Sequence, residues 1–168
     1  MKIDKQAYDD AALAGSLDQS SWESCMLAVA VGADSIEGCV TEGWPQWLAE
    51  FGVWYFDRVS NDYAERGERF LTAVIAAQDR GIDWDQAFNE VRLDSILPIA
   101  LGSLSEGNEA WRVQCREAVQ WSIDNGGVPN PEAAGAAREA RAARAVWAAG
   151  GAARDRIEQS FFKVLENS

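Results

Sequence analysis

Apolar side chains return along this chain at intervals of three and four, and nowhere for a useful length at every second position, which predicts helices throughout. Residues 4–15 read as a short amphipathic helix closing near Gly15. Ser20 and Glu23 have the spacing of a capping box, and the apolar positions after it, Trp22, Met26, Leu27 and Val29 to Val31, carry a helix to Gly32. Val29 and Val31 would also suit a strand, but the alanine content and the cap favour helix. Residues 35–40 make one turn or a short helix ended by Gly43. Pro45 suits a first helical position, where a missing N–H costs nothing. The helix it opens runs to about Asp57 with Trp47, Leu48, Phe51, Trp54 and Tyr55 inward.

Ser60 or Asn61 begins the next helix, with Phe70, Leu71, Val74 and Ile75 inward and Gly81 past its end. Asp83 caps a shorter helix bearing Trp84, Ala87, Phe88 and Val91. Asp94 is read as the cap of another, kinked or broken early by Pro98. Residues 107–124 carry a stripe of Trp111, Cys115, Ala118, Val119 and Ile123 that stops at Asn125-Gly126-Gly127. Asn130 and Pro131 then start an Ala-rich helix to about residue 149, and a last helix spans 152–166. The expectation is an all-α, single-domain irregular helical bundle of about seven to nine helices. Within it, residues 1–127 form an acidic helical core, and residues 128–168 an Ala-rich helical hairpin packed on the same domain.

Charge changes this picture most. The net charge is −12, and residues 6–57 hold nine acids without one lysine or arginine. Residues 61–127 hold twelve acids against six arginines, and from Val128 onward five acids face six bases. Such a field repels nucleic acid and anionic membrane and steers basic proteins inward, although an acidic surface also serves solubility. Cys25, Cys39 and Cys115 are odd in number and far apart, as free thiols of a reducing compartment are. With neither a leader pattern nor an apolar run of membrane-spanning length, they give the expectation of a cytoplasmic protein.

Candidate chemistry is sparse. The chain has no histidine, so the commonest general base, nucleophile partner and zinc ligand is missing. The glycines form no phosphate-binding loop. Asp83 with Asp85, or Asp9 with Asp10, offer paired carboxylates, but 27 acids make such pairs by chance. The expectation is no enzyme, no cofactor and no metal. Of eight tryptophans, most fall on apolar helix faces. Trp44, in a turn beside Glu42 and Gly43, and Trp121, off its helix's stripe, are read instead as interface anchors. With Asp34, Glu37, Glu42, Glu50 and Asp57 they form the candidate partner-binding set.

Residues 133–149 place Arg138, Arg141 and Arg144 at intervals of three among alanines, a pattern that suits packing against the bundle. From Ala133 to Arg156 the A-x-x-A rhythm, Trp147 and a terminal AARD resemble the Ala/Arg/Trp-rich helices of phage and prophage accessory proteins, some of them grouped as immunity proteins. The resemblance implies a mobile-element setting, in which small acidic proteins block toxins or defence complexes; it transfers no functional residue. The leading expectation is therefore a non-enzymatic inhibitor of the toxin-immunity or phage anti-defence (anti-CRISPR-like) type. It would dock an acidic face onto a basic site of a nucleic-acid-binding defence or toxin protein, with DNA mimicry as the narrower version of that reading. It would not contact nucleic acid or membrane itself. The alternative is a structural adaptor or a self-associating phage helical protein, a homo-oligomer built through the Ala-rich helix and surplus tryptophans.

Overall fold

Asp4 starts the first helix: its carboxylate accepts the Ala7 N–H at 3.0 Å, and α1 runs Lys5–Leu13. The computed structural model describes residues 1–18, 20–56, 62–105, 108–147 and 151–167. Among these there are nine α-helices and no strand, an all-α helical bundle. After α1 come α2 (Ile36–Thr41), α3 (Gln46–Phe56), α4 (Tyr63–Asp79), α5 (Trp84–Val91) and α6 (Leu97–Ser103). α7 (Ala110–Asp124), α8 (Ala133–Trp147) and α9 (Gly151–Asn167) complete the set. Packing divides the chain into two compact units, Met1–Gly81 and Ile82–Ser168. The boundary differs from the one placed after residue 127, because the Ala-rich α8 packs on α6 and α7 and so belongs with them.

In the first unit, α2 packs on α3, α3 on α4, and α1 on the segment Ala28–Gly32. The core is aromatic. Phe70 of α4 lies 6.4 Å from the Trp44 ring, 6.3 Å from Phe51 and 6.0 Å from Tyr55, all near-parallel. Each such pair contributes roughly 0.5–1.5 kcal/mol beyond the area it buries. α1 reaches α4 through Tyr8, whose hydroxyl donates to the Ala64 carbonyl while its ring lies on Gly67. A Cβ at 67 would overlap that ring, so glycine sets how closely the two helices approach.

The capping box at Ser20 does not form, and this part of the sequence reading is corrected. Asp18 takes both Ser20 donors, at 2.7 and 2.6 Å, together with the Ser24 hydroxyl at 2.6 Å. Trp22–Ser24 is therefore only a 3-10 turn, and Cys25 is extended at ψ 141°. The helix that follows is short and widens into a π-turn over Ala28–Gly32, so Val29 and Val31 are helical rather than strand. Ser35, Asp83 and Pro45 behave as their sequence positions suggest. Ser35 accepts the Gly38 N–H at 3.0 Å, Asp83 accepts those of Asp85 and Gln86, and Pro45 immediately precedes α3. Ser60 and Asn61 lie outside the described residues.

In the second unit, α5 does not stop before Asp94. It continues through a π-turn, Arg92–Ile96, directly into α6. The reading of Asp94 as a cap is thus corrected, for residues on both sides keep helical dihedrals. Pro98 falls in the first turn of α6 and has no N–H for the Asp94 carbonyl one turn back. Arg156 of α9 donates to that oxygen at 2.9 Å instead. α8 starts two residues later than Pro131, with Asn130 Oδ1 accepting the Glu132 N–H at 3.0 Å. Between α7 and α8, Gly127 has φ +83° and sits against the Asn89 carbonyl, where a side chain has no room.

Candidate functional site

The acids of residues 34–50 sit on α2, at its two ends and on α3. Asp34 precedes the Ser35 cap, Glu37 lies in the first turn of α2, and Glu42 is the residue that ends it. Glu50 is on α3, and all four are exposed. Among the described residues, only Glu42 has a cation in reach, Lys2 Nζ at 4.0 Å, an exposed pair worth little. Glu50 accepts from Gln46 at 2.8 Å and Asp34 from Ser35 at 3.2 Å, neither of which reduces its charge. Asp57 lies outside the described residues. Elsewhere in this unit Lys5 is engaged by Asp9 and by Glu68. Burial alone would lower its pKa, but those two carboxylates outweigh it and hold it above its ordinary value.

Trp44 is not an anchor, and this expectation is corrected. Only 2% of it is exposed, its indole N–H donates to the Lys2 carbonyl at 2.8 Å, and its ring stacks in the Phe70 cluster. The turn that suggested a surface position is folded onto the N-terminal strip, which donates from Lys2 N–H to the Glu42 carbonyl at 3.0 Å. Conversely, Trp22, Trp47, Trp54 and Trp84 are half-buried, and Trp111, assigned to an inward stripe, is 38% exposed. Trp121 is half-buried on α7, in the second unit.

Sequence reasoning missed a buried ion pair. Arg92, 4% exposed in the π-turn, meets Glu139 of α8, 8% exposed. Glu139 also accepts the Ser122 hydroxyl at 2.7 Å and the Asn130 N–H at 3.3 Å. Burial pulls the Arg92 guanidinium down to about 10, still charged at neutral pH, and its Nη1 has no partner. The signal was present: Gly135, Glu139, Ala142 and Val146 are spaced by four, three and four, and all are buried. Arg141 is exposed with its guanidinium 4.4 Å from the Trp111 ring centre, and neither it nor Arg138 has a carboxylate partner among the described residues.

No group of three or more Cys, Asp or Glu among the described residues is arranged to hold a metal. No described helix is long and apolar enough to cross a membrane. The three cysteines are buried free thiols, and burial, then the neighbouring Cys25, pushes the Cys39 thiol up to about 11. Tested against known protein families, curated proteins and solved structures, the chain matches none.

Proposed function

We propose that this chain is a non-enzymatic, protein-binding inhibitor that sets the acidic α2–α3 face of its first unit on a basic site of a partner protein. The observation that supports this most is local: Asp34, Glu37, Glu42 and Glu50 are all exposed, and one described cation lies within 4.0 Å of any of them. Charge held at the surface without partners costs nothing to desolvate until a partner arrives, and it speeds the encounter with a cationic surface. The finer reading is an anti-defence or toxin-immunity role, the target being a nucleic-acid-binding protein whose basic channel the carboxylates occupy as phosphates would. The sign of the field and the likeness of residues 133–156 to phage accessory helices support it.

The test is capture from a bacterial host by the wild-type protein and by a Glu37→Lys/Glu42→Lys variant. A partner retained by the first and lost by the second is expected. Its association should slow about ten- to a hundredfold as added salt shortens the Debye length below about 10 Å. Equal retention by both proteins, or association indifferent to salt, overturns the reading. Displacement of the captured partner by duplex DNA distinguishes channel occupancy from docking elsewhere.

A further inference from the structure

One patch of the second unit, on α7 and α8, gathers cationic side chains. Trp111 lies in the first turn of α7 on the helix side that, further along, is buried by Cys115, Ala118 and Ser122, yet it is 38% exposed. Two guanidiniums lie against its ring, Arg112 at 4.9 Å and Arg141 at 4.4 Å. Arg138 stands one turn before Arg141 on α8. Of these arginines, among the described residues, only Arg112 has a carboxylate at hand, Glu109 at 3.2 Å. The helix's own acid, Glu139, is turned inward and used up by Arg92. A large aromatic ring flanked by two guanidiniums, one of them without a carboxylate partner among the described residues, has the composition of an interface hot spot.

We propose that the Trp111–Arg141 patch of α7 and α8 docks the acidic α2–α3 face of a second copy of this chain, giving a head-to-tail association. Charge complementarity chooses the occupant. The patch offers Arg138 and Arg141 without carboxylate partners among the described residues, and the same sequence carries Glu37 and Glu42 on a face with one described cation in reach. A nucleic acid fits less well, since a polyanion longer than the patch meets a chain of net charge −12. The contact is heterologous: each copy uses one surface as donor and the other as acceptor, so copies add end to end unless the rotation closes a ring. The assembly shares the acidic face with the function proposed above but does not depend on a foreign target; a foreign basic protein would compete with it.

Sedimentation velocity on the full chain at low salt, over a range of concentrations, tests this. Wild type should form dimers and larger species that dissociate as salt is raised. Arg141→Glu changes an exposed residue, and should weaken association about thirtyfold or more, the loss expected of a hot-spot residue. Glu37→Lys/Glu42→Lys should do the same from the other side. Mixed, the two variants should form a heterodimer, since each retains one working surface. Circular dichroism identical to wild type excludes misfolding as the cause. A wild type that stays monomeric at every concentration and salt, or association unchanged by Arg141→Glu, or no heterodimer in the mixture, overturns the proposal. Capture of a foreign partner by the wild type is unaffected by those results, so this assembly and the inhibitor reading fail separately.

Discussion

Removing the Glu139 carboxylate should be among the most damaging single changes in this protein. Glu139→Ala leaves the Arg92 charge in a site only 4% exposed, with Nη1 already unpartnered, and deprives Ser122 and the Asn130 N–H of their acceptor. Breaking a buried pair from one side costs about 3–5 kcal/mol. That is a large share of the roughly 5–15 kcal/mol by which domains are stable. With a urea dependence of about 2 kcal/mol per molar, the unfolding midpoint should fall by about 2 M. The opposite truncation, Arg92→Met, should cost less, because Glu139 keeps two donors. The double variant Arg92→Met/Glu139→Gln removes both charges, keeps an acceptor for Ser122 and the Asn130 N–H, and should recover most of the loss. Equilibrium urea unfolding followed by circular dichroism measures all three. A loss below about 1 kcal/mol for Glu139→Ala, or a double variant as unstable as the worse single, would refute the view that a charge is stranded there.

Trp44→Ala should cost about 3–5 kcal/mol by emptying the Phe70 cluster, and thermal unfolding reads it directly; a surface-anchor role would leave stability unchanged. Gly127→Ala forces a Cβ into the left-handed region and against the Asn89 carbonyl, so a loss of at least about 1–2 kcal/mol is expected in the same assay. The raised Cys39 thiol and the burial of all three cysteines predict negligible alkylation of native protein at neutral pH, with full labelling in urea; prompt labelling of native Cys39 would contradict this. Asp18 is held below its ordinary range by the Ser20 and Ser24 hydroxyls and the Ser20 N–H. The order it lends to residues 18–25 is present above the unfolded carboxylate range and lost as pH falls through the folded value. A carboxyl carbon titration by NMR should show that depression in wild type and lose it in a Ser20→Ala/Ser24→Ala variant.

Helices and several of their ends were legible in the sequence because their causes are local. Asp83 caps the residues immediately after it, and the Gly126-Gly127 pair marks the stop of α7. Ser20 and Glu23 had the right spacing and still failed, because Asp18, two residues earlier, accepts the Ser20 N–H that the Glu23 carboxylate would have to accept. Trp44 was misplaced for a different reason. Its neighbours in sequence describe a turn, but its hydrogen bond is to Lys2, 42 positions away, and its stacking partner is Phe70. Arg92 and Glu139 likewise meet across a long stretch of chain, and no local pattern pairs them. The exposed acids Asp34, Glu37, Glu42 and Glu50 were correctly read as surface residues, since nothing apolar recurs at their positions.

The Arg156 bond to the Asp94 carbonyl has a genealogical consequence. Residue 98, one turn on, is proline and has no N–H to give that carbonyl. Replace that ring with an ordinary amino acid and the backbone supplies its own donor, so position 156 is released from its duty and free to drift. In descendants of this sequence the two sites, 58 residues apart, should therefore be inherited as a couple: arginine kept where proline is kept, and relaxed where it is gone.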